Sequence, residues 1–116
     1  MPSTFKLAQF GETYDCYLTR NNYRNGKTAV QVLSYDSDCR SYVPHATVSV
    51  NLNDEWMHDI GPGEFVFKDY SENEGLLEQF IALGLVETTD KAKVIGHAGE
   101  CPVVRLTERS KQFTDE

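Results

Sequence analysis

The Asn25-Gly26 pair restricts the fold of this chain more than any other feature. Both residues tolerate the positive φ that a tight hairpin turn demands, and strand-like runs stand on either side. In residues 13–20, Tyr14, Cys16 and Leu18 share one side while Asp15, Tyr17 and Thr19 share the other. Residues 28–35 are rich in Val and Leu and read as a central strand. An antiparallel sheet is therefore expected in the first third of the chain.

The rest continues this theme with one helical interruption. Residues 4–10 read as a first strand with a turn at Gly11-Glu12, and Asp36-Ser37-Asp38 marks a turn through Asx-type bonds. Residues 46–52 alternate: Ala46, Val48, Val50 and Leu52 oppose Thr47, Ser49 and Asn51. Residues 53–60 fit a loop or one helical turn that sets Trp56, Met57 and Ile60 on the core, and residues 65–68 fit a short strand after Gly61-Pro62-Gly63. A helix is predicted from Ser71, with Ser71 and Glu74 as a capping box and Glu72 favoured by the helix dipole. Leu76, Leu77, Phe80, Ile81 and Leu83 form its apolar stripe, Gly84 its C′ residue, and Gly75 a site of close helix packing. Residues 94–96 and 103–106 read as closing strands, and residues 108–116 as a frayed tail of a single domain spanning 1–116. The expected class is α+β: a curved, mostly antiparallel sheet of about six strands with one main helix packed on one face.

Charge is distributed unevenly. The formal net charge of −7 arises in residues 51–90, where ten acids (Asp54, Glu55, Asp59, Glu64, Asp69, Glu72, Glu74, Glu78, Glu87, Asp90) face Lys68 alone. Such a block repels nucleic acid and favours a basic protein partner, provided the acids gather on one surface. Direct nucleic-acid binding is not expected, and Arg20, Tyr23, Arg24 and Lys27 read as an ordinary exposed turn. No apolar run reaches the roughly 18 residues of a membrane span. The N-terminal residues lack a basic-then-apolar leader, so a cytoplasmic protein is expected.

Motifs that would carry chemistry are missing. Cys16, Cys39 and Cys101 form no CxxC pair and are expected as reduced thiols. His45, His58 and His97 have no zinc spacing, and Asp36 and Asp38 open a calcium-loop pattern that fails at Ser41 and Thr47. No nucleophile elbow, Walker loop or dinucleotide fingerprint occurs. Neither a catalytic residue nor a cofactor or metal site is expected.

The strand Ser49-Val50-Asn51-Leu52, the string Tyr70-Ser71-Glu72-Asn73-Glu74-Gly75 and the C-terminal Val104-Arg105-Leu106 carry a resemblance. Together they resemble a family of small bacterial proteins of unknown function encountered on plasmids, conjugative elements and phages. The resemblance covers roughly residues 28–106 and implies a setting among accessory genes, without an active site to transfer. The expected function is protein–protein binding by a non-enzymatic accessory protein. One form is an acidic counter-defence inhibitor that occupies a basic nucleic-acid-binding surface of a host protein. The alternatives are a plain binding module for another mobile-element protein, or a small hydrolase or metal enzyme. Asp69, Tyr70, Glu72, Asn73, Glu74 and Glu78 are the candidate partner-binding residues.

Overall fold

The computed structural model describes residues 2–115, the side chain of His97 excepted. In chain order the elements are β1 (Phe5–Gln9), β2 (Glu12–Asn22), β3 (Thr28–Asp36), β4 (Ser41–Thr47), β5 (Ser49–Val50), α1 (Asp54–Met57), β6 (Glu64–Phe67), α2 (Leu76–Ala82), β7 (Val86–Ile95), β8 (Gly99–Leu106) and β9 (Thr114–Asp115). Three short 3-10 turns punctuate them. The class is α+β and mostly antiparallel, but among the described residues nine strands form two sheets where about six strands in one were expected.

The first sheet is an antiparallel meander, β1-β2-β3-β4, with β9 added in parallel beside Leu18 and Thr19 of β2. Phe10 and Gly11, at φ 55° and 77°, turn β1 into β2, a two-residue turn whose left-handed backbone matches strand twist. The Asn25-Gly26 turn does join β2 to β3, but as a longer loop. Tyr23 N donates to Lys27 O at 2.8 Å, and only Gly26 takes a positive φ, 81°. Gln79 of α2 closes the outer edge of β1. Its side-chain oxygen accepts from Ala8 N at 2.8 Å and its amide donates to Ala8 O at 2.7 Å, so one side chain replaces a strand partner.

The second sheet runs β5-β6-β8-β7. The alternating run 46–52 does not form one strand, because it crosses between the sheets at Val48. Val48 N donates to Val30 O of β3 at 3.1 Å, while Val48 O accepts from Lys68 N, just beyond β6, at 2.8 Å. Ser49 rather than Asn51 is buried, because its hydroxyl accepts from Val30 N at 3.0 Å and meets the Tyr23 hydroxyl at 2.8 Å.

Phe5, Leu7, Leu18, Val30 and Val32 of the first sheet pack with Phe65, Phe67, Val86 and Val104 of the second, and with Leu76 and Phe80 of α2. A smaller cluster of Met57, Ile60, Val66, Cys101 and Val103 covers the other side of the second sheet. All four residues of β6 are buried, and covering on both sides explains the unbroken apolar run of Phe65, Val66 and Phe67 after Glu64. Trp56, expected on the core, is 50% exposed, because α1 is one turn long and only Met57 and then Ile60 face inward.

The C-terminal segment is built into the fold, contrary to the expected frayed tail. A 3-10 turn over Arg109–Phe113 delivers Phe113 to the core, edge-to-face with Phe5 at 5.7 Å. The strand expected at residues 94–96 is also longer than that. β7 extends through Glu87, Asp90, Lys91 and Lys93 because it is an edge strand exposing many of its side chains.

Candidate functional site

The segment singled out by sequence, residues 68–78, is a connector between β6 and α2, and its helix begins later than expected. Ser71 lies in a 3-10 turn, Ser71–Asn73, at φ 54°, and α2 starts only at Leu76 with Gly75 as its N-cap at φ 92°. The capping box is therefore corrected. Asp69 satisfies the helix start, its Oδ1 accepting from Gly75 N at 2.9 Å and Leu77 N at 3.1 Å. Gly75 is required by its left-handed backbone and not by close packing, since a Cβ there would meet nothing within 4 Å. Gly84 is placed as expected, at φ 74° just after the Leu83 C-cap.

The remaining candidates separate into inward and outward groups. Asn73 is fully buried, and its Nδ2 donates to Thr47 O at 2.9 Å, pinning the connector to the crossing between the sheets. Its Oδ1 has no hydrogen-bond partner among the described residues. Tyr70 is half-buried against the Met57–Val103 cluster with the Lys68 ammonium 5.6 Å from its ring centre. Glu72 pairs with Lys68 at 2.7 Å, a hydrogen bond that holds the carboxyl below and the ammonium above its ordinary range. Glu74 and Glu78 are exposed and make no ion pair among the described residues.

The acidic block is compensated from elsewhere in the chain. Asp59 pairs with Lys93, Glu87 with Arg105, and Glu64 with Lys91 at 2.6 Å and Arg105 at 3.3 Å. The Lys91 hydrogen bond first, then the Gly61 N–H, hold Glu64 down to about 2. Three cations from the C-terminal segment thus neutralise carboxylates of the −9 block, and Asp69 is committed to the helix. Asp54, Glu55, Glu74, Glu78 and Asp90 remain without a cation partner among the described residues.

A different feature stands out on the face of the first sheet that points away from the core. Register sets Tyr17 opposite Leu33, Leu33 opposite Pro44, and Tyr35 opposite Tyr42. The Tyr17 and Tyr42 rings meet across β3 at 4.9 Å, and Tyr35 joins Tyr42 at 5.4 Å, both edge-on. Tyr35 is 44% exposed, and the turn carrying Asp36 and Asp38 lies at the end of this row. Sequence reading set Tyr17 with Asp15 and Thr19 on one side of β2. It missed the cluster because Tyr35 and Tyr42 join it only through the β3–β4 register.

Buried polar groups elsewhere serve the fold. His45 lies between Gln9 Oε1 at 2.6 Å and Ser34 Oγ at 3.1 Å, with burial pulling its pKa down. Cys16 is buried and its thiol is pushed up to about 12 by that burial, which suppresses the thiolate. Among the described residues no three His, Cys, Asp or Glu side chains gather where they could hold a metal ion. No helix among them is long and apolar enough to cross a membrane. No protein-family model, no curated protein and no solved structure matches the chain.

Proposed function

We propose that the chain is a non-enzymatic binding module that docks another protein on the tyrosine face of its first sheet. One observation carries this reading: Tyr17, Tyr35 and Tyr42 form a continuous aromatic row on a sheet face that contributes nothing to the core. Tyrosine supplies large, stiff contact area at low entropic cost and is enriched among residues that dominate binding energy. The partner surface is basic. Arg or Lys side chains stack on tyrosine rings, and Asp38, exposed in the turn after β3, adds negative charge at the end of the row, while Asp36 Oδ1 accepts from Asp38 N and Cys39 N.

A second reading rests on Glu74, in the connector, and Glu78, in the first turn of α2, both exposed and without cation partners among the described residues. In that reading the chain is a counter-defence protein whose carboxylates enter a phosphate-binding groove of a host protein. Affinity capture with the intact chain, followed by binding kinetics on the recovered partner, separates the two. Tyr35→Ser and Tyr42→Ser should each weaken a tyrosine-face complex by about thirtyfold, the scale of one hot-spot residue. A partner bound equally well by both folded variants, but lost with Glu74→Gln/Glu78→Gln, would replace the first reading by the second.

A further inference from the structure

A cleft of about 180 Å³ opens at the end of the first sheet, between the β2–β3 loop and the turn before β6. Arg20 and Asn22 of β2, Asn25 and Lys27 of the loop, and Gly61 and Pro62 of the facing turn line it. No carboxylate contributes to its wall. That is unusual in a chain with eighteen acids against eleven Lys and Arg.

The ion pairs sharpen the point. Among the described residues, Lys6, Lys68, Lys91, Lys93, Arg105 and Lys111 all have carboxylate partners. Arg20, Arg24, Lys27, Arg40 and Arg109 have none, and of these five Arg20 and Lys27 share one cleft. Lys27 is held in place by donating one Nζ hydrogen to Ile60 O at 2.9 Å, which leaves two for another acceptor. Asn25 is fixed as well: its Oδ1 accepts from Lys27 N at 3.2 Å and its Nδ2 donates to Asp54 at 2.9 Å. Arg20 extends from the sheet toward Gly63 and makes no hydrogen bond or ion pair among the described residues, so its planar donor fork is unused.

We infer that this cleft is a binding site for a small tetrahedral oxyanion, a phosphate group above all, gripped by the Arg20 fork and the Lys27 ammonium. Arginine matches phosphate in two-point geometry, and lysine adds a point charge. The volume limits the ligand. It falls below the roughly 300 Å³ at which pockets accept drug-sized molecules, so a single phosphate group enters and a whole nucleotide does not.

The test is a titration of the full chain, followed by amide NMR, at constant ionic strength with inorganic phosphate, O-phosphoserine and acetate in turn. Saturable shifts at Asn22, Gly26 and Gly61 are expected with phosphate. Equal or tighter binding of O-phosphoserine assigns the site to a phosphorylated group on a larger molecule, and weaker binding assigns it to the free ion. Either supports the site. Arg20→Gln should weaken phosphate by about tenfold or more through loss of charge-assisted bonds, and Arg20→Lys by less because the charge remains. Thermal melting shows that each variant is folded. Non-saturable drift shared by all three anions, or identical phosphate binding by wild type and folded Arg20→Gln, would overturn the assignment.

Discussion

Removing the Asp69 carboxylate should destabilise the protein far more than removing the Ser71 hydroxyl, although only the latter sits in a capping-box pattern. Asp69 Oδ1 accepts two backbone bonds at the start of α2. Loss of a capping side chain typically costs about 1 kcal/mol, within about 0.5–2, and bonds to a charged acceptor lie at the high end. α2 has only seven residues and depends on such support, while its Leu76 and Phe80 belong to the main core. Asp69→Ala should therefore cost about 2 kcal/mol, which for a domain of this size lowers the melting midpoint by roughly 8 °C. Asp69→Asn retains a neutral acceptor and should fall between. Ser71 makes no side-chain cap and sits at φ 54°, so Ser71→Ala should stay within about 0.5 kcal/mol and Ser71→Gly should stabilise slightly. Urea unfolding of the four variants decides the matter. If Ser71→Ala costs as much as Asp69→Ala, the helix is capped in the register its sequence suggests and the connector described above is wrong.

Three further outcomes are expected. Phe113→Ala should lose about 3–4 kcal/mol in urea unfolding, because the ring is buried to 7% exposure against Phe5, whereas a frayed tail would tolerate it. Glu64, held down to about 2 by Lys91, Gly61 N–H and Arg105, contributes stability that is complete above its ordinary value near 4.5 and is lost as pH falls from there toward 2. Acid unfolding of Glu64→Gln should lack that part of the slope, and an unchanged profile contradicts the ion-pair geometry. Thiol titration with an aromatic disulfide reagent should find one fast thiol in the native protein, the exposed Cys39, and three in denaturant. Fast native reaction at Cys16 would show that its burial and raised pKa are misplaced.

How much the sequence disclosed depended on how local the controlling interaction was. The β2–β3 turn, the alternation of β2 and the Gly84 helix stop are set by neighbours in the chain, and they were legible. The crossing at Val48 was not. Perfect alternation over residues 46–52 reads as one strand, and only a long-range hydrogen bond to Val30 on one side and Lys68 on the other shows that it serves two sheets. The helix start failed for a similar reason, since Asp69 acts from six residues before Gly75, outside any capping pattern. Only the end of β7, residues 94–95, was legible, because the rest of an edge strand needs no apolar face. Of the candidate site, Asp69 and Asn73 turned out to hold the connector together, while the tyrosine row exists only through register between distant strands.

The crossing also sets the order in which the chain can become a protein as it leaves the ribosome. The four-strand meander is complete by residue 47, yet the surfaces that cover its apolar side, from Phe65 and Phe67 to Phe80 and finally Phe113, are made afterwards. Until then Phe5, Leu7, Leu18, Val30 and Val32 form an uncovered sticky sheet on a nascent chain. β9 is the last segment synthesised among the described elements, and it returns to lie beside β2, one of the first. Emergence of the segment carrying Phe113 and β9 is thus the step that finishes the core, and a nascent chain halted before that segment would be paired in outline but still open at its centre.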